Sequence, residues 1–299
     1  MVIPQYLKKD SKIAIVSPAG KIRKDFVIGA VELIKFKGFI PIVFPGCFNE
    51  HFQAAGTDDK RLADLQNALD SVEIDAILCS RGGYGVLRIL EKLDFTKFIQ
   101  KPKWLIGFSD ITNLHIALNK IGIQSLHAQM SKAMHENPNS KAVTEIFEIL
   151  KGNLPEYEID PHFFNRKGYC TGEIVGGNLS IIYSLQSTAF EIDTNNKILF
   201  IEDLNEYLYH IDRMMINLKL SGKLKNLKGL IVGAFTEIKD NETPFGKSVY
   251  EIISEHVQGY NFPVCYNFPV GHIVNNLPII EGSTVKLCVN ENSVNLKFV

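Results

Sequence analysis

The chain has 299 residues and a net charge of -1, from 32 basic and 33 acidic side chains, so no overall attraction to nucleic acid or an anionic membrane is expected. Hydrophobic residues at 45% and charged residues at 22% describe a globular protein folded throughout, and the length exceeds one small domain, so two domains are expected. No stretch approaches the ~18 apolar residues of a membrane span, and the opening MVIPQYLKKDSK lacks a signal-peptide apolar core, which makes the cytoplasm the default compartment.

In chain order, the apolar run Lys12 to Val16, a helix-periodic stretch from Asp25 to Lys37 and the run Ile40 to Phe44 read as a βαβ beginning. Thr57 is an N-cap candidate for a helix over Asp58 to Leu69, with Asp58 and Asp59 placed where the helix dipole favours them. A strand over Ala76 to Cys79 leads into the turn Arg81-Gly82-Gly83-Tyr84-Gly85, then a helix to about Leu93, a strand over Trp104 to Ile106 and a helix from Asp110 to Lys120. This alternation predicts an α/β fold whose amino-terminal domain, residues 1–155, is a mainly parallel sheet covered by helices. Ligands of such sheets bind beyond the carboxyl ends of the strands, where both the glycine turn and Gly107-Phe108-Ser109-Asp110 fall. The proline-punctuated stretch from Glu136 to Lys167 holds the expected boundary. Residues 168–299 then predict an α/β or β-rich carboxy-terminal domain, with strands near Cys170 to Val175, Ile198 to Ile201, Gly229 to Ala234 and Val264 to Phe268, helices near Leu179 to Leu185, Leu208 to Leu220 and Lys247 to His256, and two terminal strands.

Candidate chemistry starts at Ser109, which a strand-to-helix turn sets beside unpaired backbone N–H groups, two residues after a strain-tolerant glycine. Ile111 stands where a G-x-S-x-G elbow has its second glycine, and Ser109 or Asp110 as an ordinary N-cap is the alternative. His272, in Phe268-Pro269-Val270-Gly271-His272, is the histidine best presented by a loop, whereas His115 and His210 fall within helical patterns and His51, His135 and His256 have polar neighbours. Glu202 or Asp203, closing the apolar run Ile198 to Ile201, offers a carboxylate to orient that imidazole or to cap the next helix; sequence order does not choose between them.

The glycine turn offers N–H groups to a phosphate or an oxyanion, but Arg88 replaces the last glycine of a dinucleotide fingerprint. Gly246-Lys247-Ser248 lacks the first glycine of a P-loop, and Lys interleaved with Leu in Asn217 to Gly229 reads as a solvated face rather than a nucleic-acid surface. Five scattered cysteines without a C-x-x-C pair imply reduced, mainly buried thiols, and no metal-ligand cluster appears, so neither metal nor cofactor is expected.

Taken together, Ile15-Val16-Ser17-Pro18-Ala19-Gly20, Ala55-Gly56-Thr57-Asp58-Asp59 with Arg61, Arg81-Gly82-Gly83-Tyr84-Gly85, Gly107-Phe108-Ser109-Asp110, Gly176-Gly177-Asn178-Leu179, Ile201-Glu202-Asp203 and Phe268-Pro269-Val270-Gly271-His272 resemble the LD-carboxypeptidase family of serine peptidases, the muramoyl-tetrapeptide carboxypeptidases, over nearly the whole chain. The resemblance implies a catalytic triad of Ser109, His272 and Glu202 between the two domains, and chooses Glu202 over Asp203. Where it leads one to expect His-Gly-Pro, the chain has His127-Ala128-Gln129, which bears on substrate detail.

The expected reaction is release of terminal D-Ala from a muramoyl tetrapeptide in peptidoglycan recycling. The N–H groups of Asp110 and Gly83 form the expected oxyanion hole, with Arg81, Gly82 and Tyr84 at the substrate. A structural ion pair is the alternative role for Arg81. The expected partner is a small peptide or muropeptide, with no nucleic acid and no membrane. A homodimer is compatible with the resemblance, though nothing in the surface pattern shows it. The rival readings are a related serine amidase that inactivates peptide-nucleotide antibiotics, and a non-catalytic nucleotide-binding protein.

Overall fold

Thirteen strands and ten α-helices make up the computed structural model, which describes residues 1–299. Two compact units divide them: Met1–Leu154 with Val274–Glu281, and Pro155–Ile273 with Gly282–Val299. The expected domains, 1–155 and 168–299, differ from these units mainly in one late segment, 274–281, which packs with the first unit. No helix is long and apolar enough to cross a membrane.

The first unit contains β1 (Lys12–Val16), α1 (Lys24–Phe36), β2 (Ile40–Val43), α2 (Asp58–Asp70), β3 (Ala76–Cys79), α3 (Leu87–Leu90), α4 (Thr96–Gln100), β4 (Trp104–Gly107), α5 (Thr112–Lys120), β5 (Ser125–His127), α6 (Ser131–Glu136) and α7 (Lys141–Leu150). Five of the sheet's six strands are parallel, in the order β5-β4-β3-β1-β2. The sixth, the late strand β11 (Ile279–Glu281), pairs antiparallel with β5. Residues 76–79 and 104–107 are buried at every position, as continuous apolar runs must be in a sheet covered on both faces. Thr57 caps α2, accepting from the Lys60 N–H.

The second unit contains β6 (Glu156–Ile159), β7 (Gly168–Asn178), α8 (Leu179–Ser184), β8 (Ile198–Leu204), α9 (Leu208–Leu220), β9 (Gly229–Thr236), α10 (Val249–Val257), β10 (Val264–Cys265), β12 (Thr284–Val289) and β13 (Val294–Phe298). Its sheet order is β10-β9-β8-β7-β12-β13-β6. β7 to β10 pair in parallel, whereas β12, β13 and β6 add antiparallel strands, so this unit is a mixed sheet with helices.

Candidate active site

In the parallel sheet of the first unit, the connections after β1, β3 and β4 emerge at the carboxyl edge. β4 ends at Gly107, where a Cβ would lie 2.9 Å from Ile111 and 3.2 Å from the Cys79 Cβ, so only glycine lets the chain turn there. Ser109 follows with φ 66°, a left-handed conformation that costs a non-glycine residue about 1–2 kcal/mol. One turn of 3-10 helix, Ser109–Ile111, then joins α5. Neither Ser109 nor Asp110 caps α5 with its side chain, so the ordinary capping role does not apply to them.

Asp110 instead accepts from the Val86 N–H at 2.9 Å and from Asn113 Nδ2 at 3.1 Å, which ties the Ser109 turn to the end of the glycine turn. Burial, only partly offset by the Val86 hydrogen bond and the Arg61 charge, pushes its carboxyl up to about 6. A Cβ on Gly82 would sit 2.8 Å from the Ser109 Cβ and 3.0 Å from its Oγ, so the glycine turn lies directly against the serine. The Gly82 carbonyl accepts from the Gly20 N–H at 2.9 Å, while the Gly83 N–H donates to no backbone carbonyl.

Buried Arg61 completes the support by donating to the carbonyls of Pro18 (2.5 Å) and Gly85 (2.8 Å) while paired with Asp58 at 2.5 Å. The expected helix to about Leu93 is only the four-residue α3, ending at Leu90, and before it Gly83 and Gly85, at φ 101° and 141°, hold the chain in an open turn. A phosphate site on a helix N-terminus therefore loses its basis. Arg81 is exposed and donates to the Lys21 carbonyl at 2.5 Å rather than entering an ion pair; Tyr84 is half exposed.

Beneath the turn, His115 is fully buried: Nε2 lies 2.9 Å from the Gly107 carbonyl and Nδ1 lies 2.8 Å from Ser125 Oγ. A carbonyl only accepts, so Nε2 carries the proton and Nδ1 accepts from the serine. Burial pushes this imidazole down to about 4, which makes its 4.0 Å approach to buried Glu281 a contact with a neutral ring rather than a salt bridge. His127, where the expected His-Gly-Pro begins, packs between Phe108 and His115, and Gln129 donates to the Val274 carbonyl at 3.1 Å.

In the second unit, the fully buried Glu202 sits near the end of β8, with Oε2 2.7 Å from His272 Nδ1. Gly271, at φ 118°, permits this pairing, since a Cβ there would lie 2.7 Å from the Glu202 Cβ. Backbone bonds fix the approach of the loop to β9: the Phe268 N–H donates to Val232 at 3.1 Å and the Ala234 N–H to Val270 at 2.8 Å. Burial pushes the His272 imidazole down, but the Glu202 charge and hydrogen bond outweigh it and hold its pKa above the usual value. With Nδ1–H donated to Glu202, Nε2 is the basic nitrogen.

Asp203 has different partners, accepting from Asn178 Nδ2 at 2.9 Å and from the Ser180 N–H at 2.8 Å. It thus braces the start of α8, not the next helix. Burial, reinforced by the neighbouring Glu202 charge, pushes Asp203 up to about 7.

The sequence profile of the LD-carboxypeptidase N-terminal domain matches residues 13–128, and that of its C-terminal domain matches residues 171–287. The chain belongs to the LD-carboxypeptidase family. It is thereby a carboxypeptidase, a hydrolase of peptide bonds. Among LD-carboxypeptidase relatives, a protein of Bacillus subtilis named as a probable murein peptide carboxypeptidase is 31% identical, the match covering 97% of this chain and 92% of that one. The crystal structure of muramoyltetrapeptide carboxypeptidase from Oxalobacter formigenes superposes with a TM-score of 0.88 at 25% identity, covering 96% of this chain and 98% of that one. The microcin C7 self-immunity protein MccF shares the fold, with a TM-score of 0.88 at 20% identity over 99% of this chain and 98% of that one.

Ser109 falls within the profile of the N-terminal domain, Glu202 and His272 within that of the C-terminal domain. Sequence reasoning missed the His115–Ser125–Gly107 network and the Asp203–Asn178 brace. A histidine flanked by the apolar residues Leu114, Ile116 and Ala117 within a helical pattern was the one available signal for the first.

Proposed function

We propose that this carboxypeptidase is a serine enzyme that releases terminal D-Ala from a muramoyl tetrapeptide, with Ser109 as nucleophile, His272 as base and Glu202 as the carboxylate that orients it. The observation that carries the reading is the His272–Glu202 pair: a buried carboxylate fixes one ring nitrogen and leaves Nε2 to take a proton. The strained Ser109 turn, with Gly82 against it, supports the nucleophile's role, because such strain is characteristic of functional positions.

In this reaction His272 Nε2 removes the hydroxyl proton of Ser109 as Oγ bonds to the carbonyl carbon of the third stem residue. The carbonyl electrons move to oxygen, facing the N–H groups of Asp110 and Gly83. The tetrahedral species collapses, the C–N bond breaks, and His272 returns the proton to the departing D-Ala amine. Water, deprotonated by the same imidazole, then hydrolyses the acyl-enzyme and regenerates Ser109. Arg81 is assigned to the substrate's terminal carboxylate, and Gly82 and Tyr84 to other parts of the substrate. The reading places the enzyme in the cytoplasm, acting on recovered wall peptides.

The test is D-Ala release from L-Ala-γ-D-Glu-meso-diaminopimelate-D-Ala, followed by mass spectrometry with chelator present. Release by the wild type, reduced at least about a thousandfold in Ser109→Ala, is the expected result. Equal inertness of both proteins on tetrapeptides with diaminopimelate or lysine would favour the second reading, a serine amidase acting on peptide-nucleotide antibiotics, which the fold shared with MccF supports.

A further inference from the structure

The first unit carries a cavity of about 540 Å3, within the size range of small-molecule sites. It is walled by the connection that follows β2, the first turn of α2 and the stretch that follows β3. Two aromatic rings line it, Phe52 at 87% exposure and Tyr84 at 49%. Phe52 also has φ 54°, in a tight reversal closed by the mutual backbone bonds of His51 and Ala54 at 2.9 and 3.0 Å. A bulky residue held left-handed, with its ring in water, is strained and unburied at once. The two-residue reversal accounts for the positive φ, and the ring meets His51 edge-on at 5.0 Å; what the turn leaves unexplained is a large apolar ring kept in water at the cavity rather than a glycine or asparagine.

The charges of the cavity oppose each other. Arg61 and Arg88 are both paired with Asp58, at 2.5 and 2.7 Å, and Asp59 faces the same space as Lys92. A phosphate would find both arginines already engaged and the carboxylates of Asp58 and Asp59 in the same lining. An uncharged ligand with apolar faces for the rings, and hydroxyl and amide groups for Asp59, Lys92 and Gln53, fits this lining, and an N-acetylated amino sugar has that chemistry.

Reach agrees. Gly82 touches Ser109, and Tyr84 and Gly85, two and three residues further on, line the cavity, so its wall begins within about 11 Å of Gly82. In a muramoyl tetrapeptide three residues separate the bond to the terminal residue from the sugar; three α-linked extended residues would span about 10–11 Å, and the γ-linked Glu lengthens that reach, so the cavity wall lies within it.

We propose that this cavity is the subsite for the amino sugar of the muropeptide, with the Phe52 and Tyr84 rings as its stacking surfaces. The inference rests on the carboxypeptidase reading for the identity of the substrate, so the test separates binding from turnover. Ser109→Ala protein is titrated calorimetrically with muramoyl tetrapeptide and with the free tetrapeptide. The sugar-bearing ligand is expected to bind about tenfold more tightly, the scale of a well-placed aromatic contact. Adding Phe52→Asn, which removes the ring but keeps a residue tolerant of the left-handed turn, should bring the two affinities within about twofold while leaving that for free tetrapeptide unchanged.

Phe163→Ala, at an exposed ring of the other unit, should leave the gap intact. Equal affinities in the Ser109→Ala protein, or a gap that survives Phe52→Asn, overturn the subsite. Wild-type protein that releases no D-Ala while the gap is present and Phe52-dependent overturns the reaction but keeps the sugar site.

Discussion

Glu202 has no exposed surface, and its Oε1 has no hydrogen-bond partner, so His272 is the group that makes a charge tolerable there. The pair makes a pH prediction whose sign follows from the imidazole. Although burial lowers its pKa, Glu202 raises it further, and a base works only when neutral, so kcat/KM should rise with pH through a value above the ordinary 6.5. In Glu202→Gln the raising charge is gone while the burial remains, so this acid limb should move to lower pH. The rate should fall about a thousandfold or more, because an amide no longer selects the Nδ1–H tautomer. A pH profile of kcat/KM for the two proteins checks both effects, and an unmoved limb would detach the titration from His272. Stability follows the same linkage: the raised imidazole contributes fully below about pH 6.5, and that contribution is lost as pH rises through its folded-state value.

At the scale of elements, β7 and β8 pair in parallel so that Gly176 lies opposite Phe200 and Asn178 opposite Glu202. A Cβ on Gly176 would lie 1.9 Å from the Phe200 carbonyl oxygen, a clash with backbone that no side-chain rotation relieves. Gly176→Ala is therefore expected to cost about 3 kcal/mol or more, at or above the usual range for overpacking, read as a lowered urea midpoint. Gly222→Ala, with nothing within 4 Å of the added methyl, should show only the smaller backbone strain of φ 75°. An undiminished midpoint for Gly176→Ala would mean the strands are not so closely joined. Elements of this kind were legible in the sequence: Ala76–Cys79 and Leu208–Leu220 have the bounds their apolar patterns predict, and Thr57 caps where expected. What escaped was short or non-local. β11, at three residues, is too brief to carry a period, β6 is an edge strand with two glutamates among its four residues, and β10 ends at Cys265 where the sequence pattern predicts strand to Phe268. The candidate site divides the same way. The Ser109 turn is announced locally by Gly107, whereas Glu202 meets a loop 70 residues later and Asp203 meets Asn178, 25 residues earlier, separations that no local pattern encodes.

At the scale of the whole molecule, the first unit is not one continuous piece of chain. Residues 1–154 depend on the excursion 274–281, whose strand β11 covers the edge of β5 and brings buried Glu281 to within 4.0 Å of His115. Ile279 and Ile280 are at most 1% exposed, and two such side chains contribute about 3–6 kcal/mol of burial as an upper estimate. That is comparable with the whole stability of an ordinary domain, about 5–15 kcal/mol. A fragment ending at Leu154 should accordingly be marginal: its β5 edge is unpaired and open to association, and it lacks the apolar contacts that β11 supplies. Its expected behaviour is a broad, low-midpoint urea transition with aggregation at high concentration. A synthetic peptide of residues 272–283, added in trans, should restore a sharper transition and raise the midpoint as its concentration increases. A fragment that unfolds cooperatively, with a midpoint indifferent to the peptide, would show that the excursion adds no stability. The division of labour between the units would then follow the linear order of the chain. With the peptide effect present, the first unit requires chain made after nearly all of the second, so the fold that supports the Ser109 turn is completed only once the segment bearing His272 has also been synthesised.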